Sequence, residues 1–148
     1  MFKHILLPTD GTELSQKSVL KGIEFAKSIG ARITGYHVLP EYSPMLATEG
    51  FGYIDPETEE MFEKNAKAYA EHCLDFVKKA AIDAQVECEC GFGKGSSVHD
   101  AIIEAARSKN CDLIWMASHG RRGITGLLLG SETTKVLTHC DIPVLVYR

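Results

Sequence analysis

The stretch His4-Ile5-Leu6-Leu7-Pro8-Thr9-Asp10-Gly11 decides the fold. Its first five residues are nearly all apolar and show no alternation, so a strand built from them has no face suited to water. Thr9-Asp10-Gly11 then closes the strand with a turn signal. A strand apolar on both faces needs cover above and below, as in a parallel sheet flanked by helices.

Working outward, Val19, Gly22, Ile23, Ala26 and Ile29 recur at helical spacing after Thr12, and Gly30 stops the helix. Residues 31–39 hold Ile33, Val38 and two aromatic rings before Pro40 and read as a second strand. Residues 39–55 have no periodicity and read as a loop, either a cover over a site or a mobile segment; as a cover, it is expected to gain order with ligand. Pro56 opens a long helix whose stripe of Phe62, Ala66, Tyr69, Ala70, Cys73, Val77 and Ala80 faces a core.

Gln85-Val86-Glu87-Cys88-Glu89-Cys90 alternates, as expected of an edge strand half in water, with Cys88 and Cys90 as packing residues. Ser97-Val98-His99-Asp100 resembles a capping box with Asp in the Glu/Gln place. Residues 112–116 form a fourth strand, Ser131 is the expected N-cap of a short helix, and residues 143–147 form the last strand. The order β-α-β-α-β-α-β-α-β predicts an α/β three-layer sandwich, Rossmann-like or flavodoxin-like, with a five-stranded parallel sheet and right-handed crossovers. The whole chain, 1–148, is read as one domain.

Composition narrows the function. Hydrophobic residues make up 45% of the 148, enough for one ordinary core, and no run approaches the roughly 20 apolar residues of a membrane span. A net charge of −4 and a pI of about 5.8 argue against nucleic acid as the main partner. The five cysteines, Cys73, Cys88, Cys90, Cys111 and Cys140, are odd in number and lack a CxxC, so neither a disulfide framework nor a zinc site is expected. A cytoplasmic setting with no membrane partner follows as the expectation, and no metal site is assigned.

Ligands of such sheets bind beyond the carboxyl ends of the strands, where the winding reverses. Here the tips are Pro8-Thr9-Asp10-Gly11, and Ala117-Ser118-His119-Gly120 following Met116. The second tip runs into a segment with Gly120, Gly123, Gly126 and Gly130, the adjacent Arg121 and Arg122, and a helix start at Ser131. Glycines let a backbone approach a bulky anion, the first amides of a helix attract it, and Arg121 adds charge. Together these read as a phosphate cradle that extends into Glu132 and Thr133. The bland alternative is a surface loop with solvated arginines.

Asp10-Gly11 alone reads as an ordinary turn. His119 could act as a general base, but no triad pattern or second positioned acid accompanies it. Gly93-Lys94-Gly95-Ser96 lacks the Walker A spacing and reads as a turn.

The tip segment resembles the G-x2-G-x9-G-S/T pattern of the ATP-binding universal stress proteins. It runs here as Ala117-x2-Gly120-x9-Gly130-Ser131, with alanine in the first glycine's place. Residues 5–11, His37-Val38 and residues 143–146 resemble the same family's first, second and closing strands. The resemblance implies a sheet order of 3-2-1-4-5, with Asp10 and Val38 bordering adenine. It further implies Ala117 and Gly120 against ribose and phosphates, and Gly130, Ser131 and Glu132 on the phosphates. With Pro8, Thr9, Met116, His119, Arg121, Gly123 and Thr133 alongside, these residues make up the expected nucleotide site.

The implied function is binding of ATP, ADP or AMP, with Mg²⁺ as a possible companion, by a stress-response binding or signalling module rather than an efficient enzyme. The alternatives are a slow Mg-dependent ATP hydrolase and a dimeric scaffold without nucleotide. The apolar last strand, an edge in that sheet order, predicts a homodimer.

Overall fold

The computed structural model describes residues 1–42, 56–119 and 129–148. Along the chain run β1 (His4–Pro8), α1 (Glu13–Ile29), β2 (Arg32–Val38), α2 (Pro56–Ala84) and β3 (Cys88–Gly93), followed by α3 (Val98–Ser108), β4 (Leu113–Ala117), α4 (Ser131–His139) and β5 (Val144–Tyr147). All four strand pairings are parallel, in the order β3-β2-β1-β4-β5. This is the expected three-layer α/β sandwich. β1 lies at its centre, paired with β2 on one side and β4 on the other.

The two-faced apolar character of β1 explains its place. Ile5 and Leu7 join Val19, Ile23, Ile33, Val77 and Trp115 in the core beneath α1 and α2. Leu6, pointing the other way, joins Ile102, Ile103, Ile114, Met116 and Val136 beneath α3 and α4. Ile5, Leu6 and Leu7 are all fully buried, each worth about 1.5–3 kcal/mol relative to exposure. No alternating strand could occupy this position, since one of its faces would bury polar groups in a dry layer.

The helix ends follow local chemistry. Thr12 caps α1, accepting from the Ser15 amide, and Gly30 ends it in the left-handed region at φ 67°. Ser97 caps α3 and accepts from the Asp100 amide. The capping box closes differently from the standard pattern: the Asp100 carboxylate accepts from the hydroxyls of Ser96 and Ser97, both at 2.7 Å. Asp is one methylene shorter than Glu, which favours these nearer donors over the cap's backbone amide. At α4 the expected cap moves by one residue, since Gly130 is the N-cap and Ser131 is the first helical residue. No helix among the described residues is long and apolar enough to cross a membrane.

Below the sheet's amino-terminal edge lies a buried polar chain. His4 Nε2 and Thr34 Oγ1 are 2.7 Å apart, and Thr34 donates to Glu89 Oε1 at 2.9 Å. Burial, aided by Arg32 and opposed by Glu89 and Asp112, lowers the His4 pKa from its ordinary 6.5. The unfolded chain therefore binds a proton at His4 more readily than the folded one, so His4 subtracts stability as pH falls below 6.5 toward its folded pKa. Thermal melts from about pH 7.5 down to about pH 5 should show a falling midpoint, with a flatter profile in His4→Gln. Parallel profiles for the two chains would show that His4 is not the group responsible.

Candidate functional site

The crevice between the tips of β1 and β4 exists because these neighbours send their crossovers in opposite directions. β1 leads through α1 to β2 on one side, while β4 leads through α4 to β5 on the other. The strand order thus places the reversal where Thr9-Asp10 and Ala117-Ser118 leave the sheet side by side.

The β1 tip is held by its neighbours. The Thr9 amide donates to Tyr36 O at 2.8 Å, and Thr9 O lies 2.8 Å from His37 Nδ1. Ser15 Oγ donates to Thr9 Oγ1 at 2.9 Å. Asp10 Oδ1 accepts from both the amide and the hydroxyl of Thr12, at 3.0 and 2.7 Å, forming an Asx turn into α1. From α2, Tyr69 Oη donates to Asp10 O at 2.9 Å. Gly11 completes the turn at φ 80°, with Tyr69 and Cys73 so close that a Cβ there would stand 2.5 Å from Tyr69 Oη and 2.6 Å from Cys73 Sγ. The turn reading of Asp10 is therefore realised, and the turn stands at the tip of β1.

The β4 tip is tied to α4. The Ser118 amide donates to Tyr147 O at 2.8 Å, the Gly130 amide donates to Ser118 O at 2.6 Å, and buried Thr133 donates its hydroxyl to Ala117 O at 3.0 Å. These bonds bring the first turn of α4 back to the strand end. Gly130 carries no side-chain cap bond, in contrast to Thr12 at α1 and Ser97 at α3. The start of α4 is thus an anion-attracting end that no described side chain occupies.

Ala117, in place of the first motif glycine, lies in β4 opposite Tyr147. Among the described residues only Gln85 and Asn110 hold a positive φ outside glycine, so the alanine methyl sits on an extended backbone without strain. Ser118 Oγ lies 3.0 Å from His119 Nδ1, and His119 Nε2 is buried without a hydrogen-bond partner among the described residues.

The Glu132 side chain turns away to α3. Its Oε2 accepts from the His99 amide at 3.0 Å and lies 3.3 Å from His99 Nδ1, while Lys135 Nζ lies 3.0 Å from Oε1. Burial opposes its ionisation, but the bonds from Lys135 and His99 outweigh burial and hold the carboxyl below its ordinary range. What Glu132 can offer a phosphate is therefore its backbone amide at the start of α4.

Pro8, Thr9, Asp10, Ala117, His119, Gly130, Ser131 and Thr133 thus lie at the ends of β1 and β4 and the start of α4, while Met116 packs in the core beneath α3 and α4. Val38 ends β2, one strand away, packed against the core beneath α3 and α4. Gly120, Arg121 and Gly123 lie outside the described residues, as do residues 43–55 of the expected cover. Sequence reasoning missed His37, Tyr69 and Ser15 as supports of the β1 tip and His99 as the partner of Glu132. Only Ser15, three residues after the Thr12 cap, carried a local signal.

A concavity of about 570 Å³ lies along α3 past Lys94, Asp100 and Arg107, away from the tips of β1 and β4. No set of three or more His, Cys, Asp or Glu among the described residues is placed to hold a metal ion.

Comparison with known proteins agrees with this architecture. A universal stress protein of Methanocaldococcus jannaschii is 29% identical over 148 residues, covering 100% of this chain and 83% of the relative. A solved structure of a hypothetical protein, described in connection with assigning its biochemical function, superimposes with a TM-score of 0.82 at 27% identity over 99% of this chain and 95% of that one. An Arabidopsis thaliana universal stress protein family structure with AMP bound has the same fold, with a TM-score of 0.68 at 17% identity, covering 97% of this chain and 90% of that chain. The model of the universal stress protein family matches residues 1–148, and the chain belongs to that family.

Proposed function

We propose that this chain binds an adenine nucleotide, ATP, ADP or AMP, at the tips of β1 and β4, and that it serves as a stress-response binding or signalling module. The observation that carries the reading is the start of α4, tied to the end of β4 and free of a described side-chain cap, while α1 and α3 are capped by their own residues. A helix start of this kind attracts phosphate. The adenine end rests on the family and on the AMP held by the Arabidopsis thaliana relative.

Mass spectrometry of small molecules released by denaturing the purified protein, followed by calorimetry with ATP, ADP and AMP, tests the reading. An adenine nucleotide in the released fraction, or micromolar binding of at least one of the three, is expected. No release and no binding would remove it.

A second reading, slow Mg-dependent hydrolysis, is favoured by His119, whose Nε2 has no described partner and lies next to the β4 tip. Phosphate release from ATP with and without Mg²⁺ separates hydrolysis from binding alone. The assembly we propose is a homodimer through β5, whose four residues are all half-buried at the sheet edge, and light scattering on the same samples reads it.

A further inference from the structure

Cys88 and Cys90 sit two residues apart on the edge strand β3 and point to the same side, toward α2. Their sulfurs are 3.8 Å apart, and both side chains are half-buried. Cys90 lines an open groove of about 500 Å³ together with Glu71, Asp75, Lys78 and Phe92. By contrast, Cys73 and Cys111 are buried, at 4% and 6% exposure. Burial also pushes the Cys111 thiol up to about 11.

We propose that Cys88 and Cys90 form a reversible thiolation site for low-molecular-weight disulfides of the glutathione type, with Cys90 as the sulfur modified and Cys88 as the thiol donor beside it. The site lies on the α2 side of β3, and its argument is independent of nucleotide binding. Either S–H can donate across the 3.8 Å between the sulfurs; with Cys88 as the donor, Cys90 is held below the usual thiol range despite burial, with Lys78 assisting, and Cys88 is raised. A partly exposed thiol of lowered pKa beside a lysine is the environment of a reactive cysteine. Lys78, Glu71 and Asp75, all on the α2 side of the groove, also suit a ligand that carries both signs of charge, as a tripeptide thiol does.

In the reaction, a Cys90 sulfur lone pair forms a bond to one sulfur of the disulfide R–S–S–R. The old S–S bond breaks and its electron pair leaves with RS⁻, which takes a proton from solvent. Cys90 is oxidised to the mixed disulfide, and one half of the reagent is reduced to thiol.

The strand then preserves this product. Alternate strand side chains leave the backbone in parallel, so the two Cβ atoms stand roughly 6.6 Å apart, well beyond the ~3.5–4.5 Å across which a disulfide joins them. β3 is also held to β2 in register from Cys88 to Gly93. Cys88 therefore does not close onto Cys90 to expel the bound thiol.

The test incubates the full chain with oxidised glutathione and maps the adducts by peptide mass spectrometry. A single adduct on Cys90 is expected. Cys88→Ala, which removes the S–H donor, should slow its formation roughly three-fold to ten-fold, while Cys88→Ser, which keeps a donor, should stay near the parent rate. Cys90→Ser should take no adduct, and if that variant fails to fold, the map of the parent chain decides alone. No adduct, adducts spread equally over Cys88, Cys90 and Cys140, or a Cys88–Cys90 disulfide two hydrogens lighter would each overturn the proposal.

Discussion

Gly130→Val is expected to abolish measurable adenine-nucleotide binding, a loss of at least about 100-fold, or about 2.8 kcal/mol. The reason is space at the helix start. Gly130 adopts φ −57° and ψ 148°, a conformation open to any residue, so valine brings no backbone strain. Its branched side chain would instead stand at the N-cap of α4, beside the amides proposed to receive the phosphate. The bond from the Gly130 amide to Ser118 O survives the change, because it is made by the backbone.

The variant should therefore fold and melt within a few degrees of the parent while losing its ligand. Gly130→Ala, with one methyl, should lose less. Calorimetry with ATP and AMP on the folded variants gives the answer. Unchanged affinity in Gly130→Val would mean that the start of α4 is only a turn.

The second large effect falls on stability. Gly11→Val places a side chain at φ 80°, which costs about 1–2 kcal/mol for a residue other than glycine. The new Cβ would also stand 2.5 Å from Tyr69 Oη and 2.6 Å from Cys73 Sγ, so those α2 side chains must shift away from the β1 tip. Overpacking of this kind adds about 1–3 kcal/mol. The sum, about 2–5 kcal/mol, corresponds to a melting point lower by roughly 5–20 °C in a chain of this size.

Tyr69→Phe separates the two components. It loses the 2.9 Å bond to Asp10 O, worth about 1 kcal/mol, and should cost no more than a few degrees. Equal melting points for Gly11→Val and the parent would show that α2 is not seated on the turn. Because the Asp10 peptide borders the proposed nucleotide site, nucleotide affinity should fall in Gly11→Val even below its lowered melting point.

Much of the fold was legible because its signals are local. The uninterrupted apolar run of Ile5-Leu6-Leu7 can only be satisfied by two dry faces, and the Ser97 cap acts within three residues of itself. The alternation ending in Cys88-Glu89-Cys90 likewise announced an edge strand with its cysteines turned inward. The gathering of the two strand tips followed from the order of elements, since a parallel sheet with right-handed crossovers leaves few places for the reversal.

Other features needed the packed molecule. Tyr69 reaches Asp10 across 59 residues of sequence, and Glu132 meets His99 across 33. Nothing near any of these residues in sequence marks the pairing, because each contact exists only once a helix lies across the sheet at a particular height. At Ala117, sequence alone registers a departure from a glycine pattern, and the extended backbone of β4 shows that the departure costs nothing.

The start of α4 makes the same point at a single residue. Its composition favoured the hydroxyl of Ser131 as cap, but the bonds from Gly130 to Ser118 and from Thr133 to Ala117 start the helix one residue earlier. Periodicity and cap chemistry, which act over a few residues, were therefore written in the sequence; helix register and the partners of the site's polar groups were decided by tertiary structure, because burial leaves their donors and acceptors no water to fall back on.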